Sequence, residues 1–130
     1  MSQYPTAINP EMVGEYDAFC HSGGGYFYDE VLEYRVWCHP AEGAPDDFED
    51  GDYYYPYETY EKALTFSESR PGAEKPLVLI KQLEHVNEPE DGVFIHVKAE
   101  LITEWQVEWL EGSKREADSI AMFLAEKKSK

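Results

Sequence analysis

Two cysteine–histidine dipeptides, Cys20-His21 and Cys38-His39, and an acidic run from Asp46 to Tyr57 are where residue types capable of chemistry gather. Thiolate and imidazole serve as zinc ligands and as nucleophile–base partners. Neither dipeptide shows the C-x2-C or H-x3-H spacing of a closed zinc site, and neighbours on a strand point to opposite faces, so no metal is expected. Cys38 reads instead as a small buried hydrophobe. The run DDFEDGDYYYPY holds five acids and four tyrosines. Laid on a calcium loop, Asp46 takes the first position, Asp50 the fifth and Gly51 the required sixth. Phe48 and Tyr57 then stand where a ligand and the bidentate carboxylate belong, so the run reads as a solvated connection whose tyrosines fold back onto the domain. No G-x-S-x-G elbow, H-E-x-x-H pair, phosphate-binding glycine loop or dinucleotide fingerprint occurs. No catalytic residue is assigned, and the balance leans away from an enzyme.

Charge narrows the partners. Eleven Lys and Arg against 27 Asp and Glu give a formal charge of -16 over 130 residues. Such a surface repels polyanions, which disfavours nucleic acid and anionic membrane, and attracts a cation, a basic peptide or a basic protein. An acidic surface also serves solubility alone. The N-terminal stretch lacks the basic start and apolar run of a secretory signal, and no segment is apolar over the length of a bilayer. A cytoplasmic protein with Cys20 and Cys38 reduced is therefore expected.

The elements that would position these groups follow from periodicity. Residues 1–25 hold Pro5, Pro10 and Gly23-Gly24-Gly25 and read as a flexible arm, with a short helical turn near Met12 to Phe19; a single domain occupies 26–130. In VLEYRVWC, Leu32, Tyr34, Val36 and Cys38 alternate with Glu33, Arg35 and Trp37, the pattern of a strand with one buried face, ended by Pro40. Tyr60, Ala63, Leu64 and Ser67 recur at helical spacing between an N-cap at Thr59 and a stop at Arg70-Pro71-Gly72. Leu77 to Ile80 are apolar on both faces, as in a central strand. A turn at Asn87 to Gly92 should join that strand in an antiparallel hairpin to VFIHVKAEL, with Val93, Ile95, Val97, Ala99 and Leu101 inward. The same phase runs on through Trp105, Val107 and Trp109, too long for one strand, so a break near Ile102-Thr103 is expected, with either strand or helix after it. Core burial is favoured for both tryptophans. Ser113 to Glu116 has capping-box spacing ahead of a helix with Ala117, Ile120, Ala121 and Leu124 on one stripe. The fold class is α+β: a small antiparallel or mixed sheet of three to five strands, with the central and C-terminal helices packed on one face.

If helices cover one face, the other is open. Arg35, Trp37 and His39 would share it with Phe94, His96 and Lys98, placing aromatics and both charge signs on one surface fit for a ligand or partner. The competing outcome is that the N-terminal arm or the tyrosine run packs over it.

Three segments, EYRVWCHP (Glu33 to Pro40), YETYEKALTFSESRPGAEKPLVLI (Tyr57 to Ile80) and ITEWQVEWLEGSKR (Ile102 to Arg115), resemble a family of small bacterial proteins described as GNAT-type acetyltransferases. The resemblance spans about residues 26–125. It implies acetyl-CoA as cofactor, although the Q/R-x-x-G-x-G/A loop with which GNAT enzymes wrap its pyrophosphate has no counterpart here, and no catalytic residue carries over. Three functions stay open. The first is a non-catalytic binding or regulatory module acting through the open aromatic face, and the second is the small acyltransferase that the resemblance implies. The third is an acidic decoy for a basic protein, with carboxylates such as Glu84, Glu88, Glu100, Glu104 and Glu108 ranked along one surface.

Overall fold

The computed structural model describes residues 4–16, 21–22, 26–45 and 51–128. Along the chain run β1 (His21–Ser22), β2 (Glu30–Cys38), β3 (Tyr53–Tyr57), α1 (Tyr60–Ser69), β4 (Leu77–Gln82), β5 (His85–Glu90), β6 (Val93–Val97), β7 (Leu101–Gln106) and α2 (Ser119–Lys128). Five strands form one sheet in the order β1-β7-β4-β2-β3, antiparallel except for the short β1–β7 pairing; β5 and β6 form a separate hairpin. The class is α+β.

Thr59 caps α1 as its position predicts: its hydroxyl accepts the Lys62 amide at 3.3 Å, satisfying one of the donors that a helix start leaves unpaired. The helix lays Ala63 and Phe66 over β2 and β3. Beneath it, Tyr34, Val36 and Cys38 are fully buried with Val78, Ile80 and Trp105. The chain then turns at Gly72, whose φ is +72° and where a Cβ would stand 2.3 Å from the Ala44 amide nitrogen. Only glycine fits there, since any side chain would meet both left-handed strain and backbone. Val78, Leu79 and Ile80 are all fully buried, so β4 is the doubly covered central strand that its apolar run predicts.

The second face of the sheet departs from expectation. Glu33 has no exposed surface, and Arg35 is 0% exposed although it alternates with the core phase. Glu33 Oε2 accepts the Arg35 Nε at 2.7 Å, Arg35 Nη1 reaches Glu104 Oε2 at 3.2 Å, and Trp37 Nε1 donates to the same oxygen at 2.9 Å. The guanidinium lies 4.5 Å from the centre of the Tyr54 ring, and Tyr54 stacks on Trp37 at 4.9 Å. From the other side the amide of Gly14 donates to Glu33 Oε1 at 2.8 Å. The face is therefore closed by β3 and by residues 4–16, which lie against the domain: the amide of Ala7 bonds the Glu58 carbonyl, that of Ile8 the Val31 carbonyl, and the Tyr34 hydroxyl donates to the Pro5 carbonyl. Of the helical turn expected near Met12 to Phe19, the structure has a single 3-10 turn at Pro10–Met12; residues 17–20, with Cys20, and 23–25, with the glycine run, lie outside the described residues.

Further expectations are corrected. Tyr53 to Tyr57 are a strand rather than a folded-back loop, paired with β2 from Tyr34↔Tyr57 to Cys38↔Tyr53; tyrosines suit a half-buried pleated surface, and Pro56 is tolerated because β3 is an edge. Asp46 to Asp50, the first half of the calcium alignment, lie outside the described residues. Next, β4 pairs with β7 and β2 rather than with β6, because the segment taken as a turn is itself strand β5, and only Asp91-Gly92 turn. In the resulting hairpin Val93 and Ile95 face outward while Phe94 and His96 are half-buried, the reverse of the expected phase. The long register breaks at Lys98 to Glu100; β7 then ends at Gln106 and passes into a 3-10 turn, Val107–Leu110.

Ser113 to Arg115 do not open a helix. Their backbone is used by Tyr28, whose amide donates to the Ser113 carbonyl at 3.0 Å and whose carbonyl accepts the Arg115 amide at 2.8 Å. Helix α2 starts at Ser119 and turns Ile120 and Phe123 inward; Phe123 packs on Tyr26 at 4.6 Å and on Phe94 at 5.5 Å, so this helix covers the hairpin end.

Arg35→Met tests the closed face. Removing the cation leaves two carboxylates facing each other in a water-poor layer, and chemical denaturation should show a loss of about 3–5 kcal/mol. Replacing Glu33 by Leu in the same chain should restore a large part of it. A single variant as stable as the parent would mean that the pair is solvated.

Candidate functional site

Of the six residues expected to form an open face, the structure brings Arg35 and Trp37 together inside the sealed network and places the others elsewhere. His39 leaves the end of β2 and is 22% exposed, with Nδ1 at 2.9 Å from Asp52 Oδ1 and Nε2 at 3.2 Å from Glu74 Oε2. Phe94 packs in the cluster of Tyr26 and Phe123, with the Lys127 ammonium 5.8 Å from its ring centre. His96 Nε2 lies 2.8 Å from Glu84 Oε1, and Lys98 is exposed on the segment after the hairpin. Cys38 and His39 diverge: the thiol turns into the core and the imidazole toward the two carboxylates. Among the described residues no group of three or more His, Cys, Asp and Glu side chains is arranged to hold a metal ion.

A concavity with convergent chemistry lies where β7 ends. When β7 gives way to the 3-10 turn at Val107, the chain stops alternating; Trp105 then stays in the core at 2% exposure while Trp109 stands at the surface at 45%. Their rings meet edge to face at 6.1 Å. Across from them stand Tyr26, 41% exposed, and β5, and between the two walls is a cleft of about 700 Å³. This volume is in the range that small ligands occupy. Glu88 lines one side of it, Glu108 and Glu111 the other, and the described residues of its lining include neither lysine nor arginine.

The field in this region is negative, and the surrounding tyrosines register it. Burial and the nearby Glu111 carboxylate raise the pKa of Tyr4; burial and Glu88 raise that of Tyr26, whose hydroxyl is 3.5 Å from Glu88 Oε1; burial and Glu108 raise that of Tyr60. Glu88 is oriented further by the Gly92 amide, which donates to its second oxygen at 2.9 Å.

The hairpin wall is held by a chain of polar side-chain contacts. Asp29 accepts the Leu83 amide at 2.7 Å and Arg115 Nε at 2.7 Å; Arg115 Nη1 reaches Glu84 at 3.1 Å, and Glu84 faces His96. Asp29 is buried, so the chain begins in the body and ends on β6.

Sequence pattern alone placed both tryptophans in the core and so missed the cleft. The available signal was the spacing of Trp105 and Trp109 with Glu108 and Glu111: if the strand ends after Gln106, one indole turns inward and the next outward beside the carboxylates. As for the pyrophosphate that acetyl-CoA would bring, Glu58 and Glu61 flank the start of α1, and Glu116 and Asp118 precede α2, so each helix N-terminus already carries the negative charge that it favours. No family model, curated protein or solved structure matches this chain.

His39 yields a prediction. Both ring nitrogens face carboxylate oxygens, which suits only the doubly protonated ring, and the Asp52 hydrogen bond, opposed by burial and aided by Glu74, raises its pKa above the ordinary value. A raised folded-state pKa adds stability that is complete below the unfolded value, about pH 6.5, and disappears as pH climbs through the folded value. His39→Gln should therefore lose more stability, relative to the parent, below about pH 6.5 than at pH 9, as read from paired denaturation curves. Equal losses at both pH values would show that folding leaves the pKa of the ring unshifted.

Proposed function

We propose that this protein is a non-catalytic binding module for a cationic group, an organic ammonium or a basic side chain, taken into the cleft between Trp109 and β5. One observation carries the reading: an open cleft of about 700 Å³ walled by two indoles and a phenol, with three glutamates in its lining. Aromatic faces attract cations through their quadrupole, by about 0.5–1 kcal/mol when exposed and about 2 kcal/mol when desolvated. Carboxylates add charge-assisted hydrogen bonds to any N–H that the cation carries.

The protein's own packing offers an internal parallel. Arg35 lies over Tyr54, Arg70 over Tyr53 and Phe66, Lys114 over Tyr28, and Lys127 over Phe123. Cation on ring is how this chain repeatedly seats its basic groups, and the cleft provides the same surface to an incoming one. The net charge of -16 draws such a ligand in and makes the binding salt-sensitive.

Titration with N-acetyl-lysine methylamide or choline should move the indole resonance of Trp109 and the ring of Tyr26, with saturation in the millimolar to micromolar range expected of about 4–8 kcal/mol. Trp109→Ala should weaken binding by about 5- to 30-fold, corresponding to about 1–2 kcal/mol, while stability stays within about 1 kcal/mol because that ring is half exposed. Absence of any shift at saturating ligand would reject the cleft as a cation site.

A further inference from the structure

One wall of the cleft is more than a set of side chains. Val86, Asn87 and Glu88 belong to β5, and among the described residues β5 pairs with β6 alone, so an edge strand lines the cleft. Asn87 and Glu88 are exposed, and the next residue, Pro89, brings no amide donor to the strand. An edge strand presents backbone donors and acceptors ready to pair with another extended chain. A two-stranded hairpin is also marginal by itself and gains from a third strand.

We infer that the occupant of the cleft is an extended, basic segment of another protein, which adds as a strand to the outer edge of β5 and places a lysine or arginine over Trp109. The inference rests on the cation-binding reading of the same cleft and adds the polymer that carries the cation. Three observations converge on it. The cleft is larger than a single ammonium group requires, and main chain accounts for the rest of the space. Three successive residues of β5, Val86 to Glu88, line it together with the indoles and Glu108, so a strand paired along them would hold its alternate side chains about 6.7 Å apart on one face beside that aromatic and acidic wall. Charge decides between occupants: a second copy of this chain brings another -16, whereas a lysine- or arginine-bearing segment meets Glu88, Glu108 and Glu111 with opposite sign. Backbone pairing supplies affinity with little regard to sequence, and the aromatic–acidic pocket supplies the preference for a basic residue at one position.

The test compares four probes on the full chain by amide chemical shifts and hydrogen exchange: N-acetyl-lysine methylamide, a capped five-residue peptide of valines with a central lysine, and two versions of that peptide N-methylated along one edge or the other. Strand addition predicts that the plain peptide binds at least tenfold more tightly than the single residue. It also predicts slowed exchange within His85 to Glu88, and loss of the gain when the edge facing β5 is methylated but not when the opposite edge is. If the single residue binds and the peptide and both methylated forms bind no better, strand addition is overturned and the cation cleft stands. If none of the four binds, both fall. A concentration-dependent dimer in sedimentation, with the same exchange protection in the absence of peptide, would overturn the inference in favour of a second copy as the occupant.

Discussion

Arg35 sets the terms for the rest of the fold. Burial works against its charge, and the hydrogen bond and field of Glu33, with Tyr54 and Glu104 behind them, more than offset that cost and keep the guanidinium protonated. A charge removed from water is tolerated only when its partners are complete, and here they come from every side: Glu33 from the same strand, Glu104 from β7 across β4, Tyr54 from the edge strand. Glu33 in turn depends on the Gly14 amide. Residues far apart in the chain are thereby tied to one group, so sheet, edge strand and N-terminal segment should assemble cooperatively.

Polar chains of this kind also decide where the molecule stays open. At the His39 end, the imidazole joins Asp52 and Glu74 and draws the entry to β3 toward the turn after α1. At the other end, Asp29, Arg115, Glu84 and His96 hold the hairpin out from the sheet, and Phe94, Phe123 and Tyr26 fill the space below it. Direct sheet pairing between hairpin and body would have closed the cleft; tethering through side chains keeps it.

The acidity of the chain acquires a place in this arrangement. Several basic groups are already committed, Arg35 and Arg115 to carboxylates and Arg70 to the rings of Tyr53, Tyr55 and Phe66. Glu88, Glu108 and Glu111 line the cleft beside the exposed rings of Tyr26 and Trp109, and their combined field is what a cation would meet.

The α+β class, the extent and cap of α1, the central place of β4 and the burial of Cys38 were all legible in the residues, because each depends on local spacing or on apolar runs that have few ways to be buried. The alternation in β2 also marked a strand correctly. It could not tell that the charged phase would be sealed, since that required Glu104 and Gly14, neither of which is near in sequence. The same limit explains the hairpin. Periodicity in VFIHV is symmetrical between its faces, and which one turned inward was decided by Phe123 of α2 and Glu84 meeting Phe94 and His96. Ser113 to Glu116 have the composition of a helix start, but Tyr28 claimed their backbone first. The cleft is the extreme case: Trp105 and Trp109 keep one strand phase on paper, and only the 3-10 turn between them sends one indole into the core and the other to the surface. By itself the sequence determined which groups had to be hidden and which helices and strands its patterns could make. Tertiary structure decided which partners hid them, because burial of a charge and exposure of a ring are properties of contacts between distant segments.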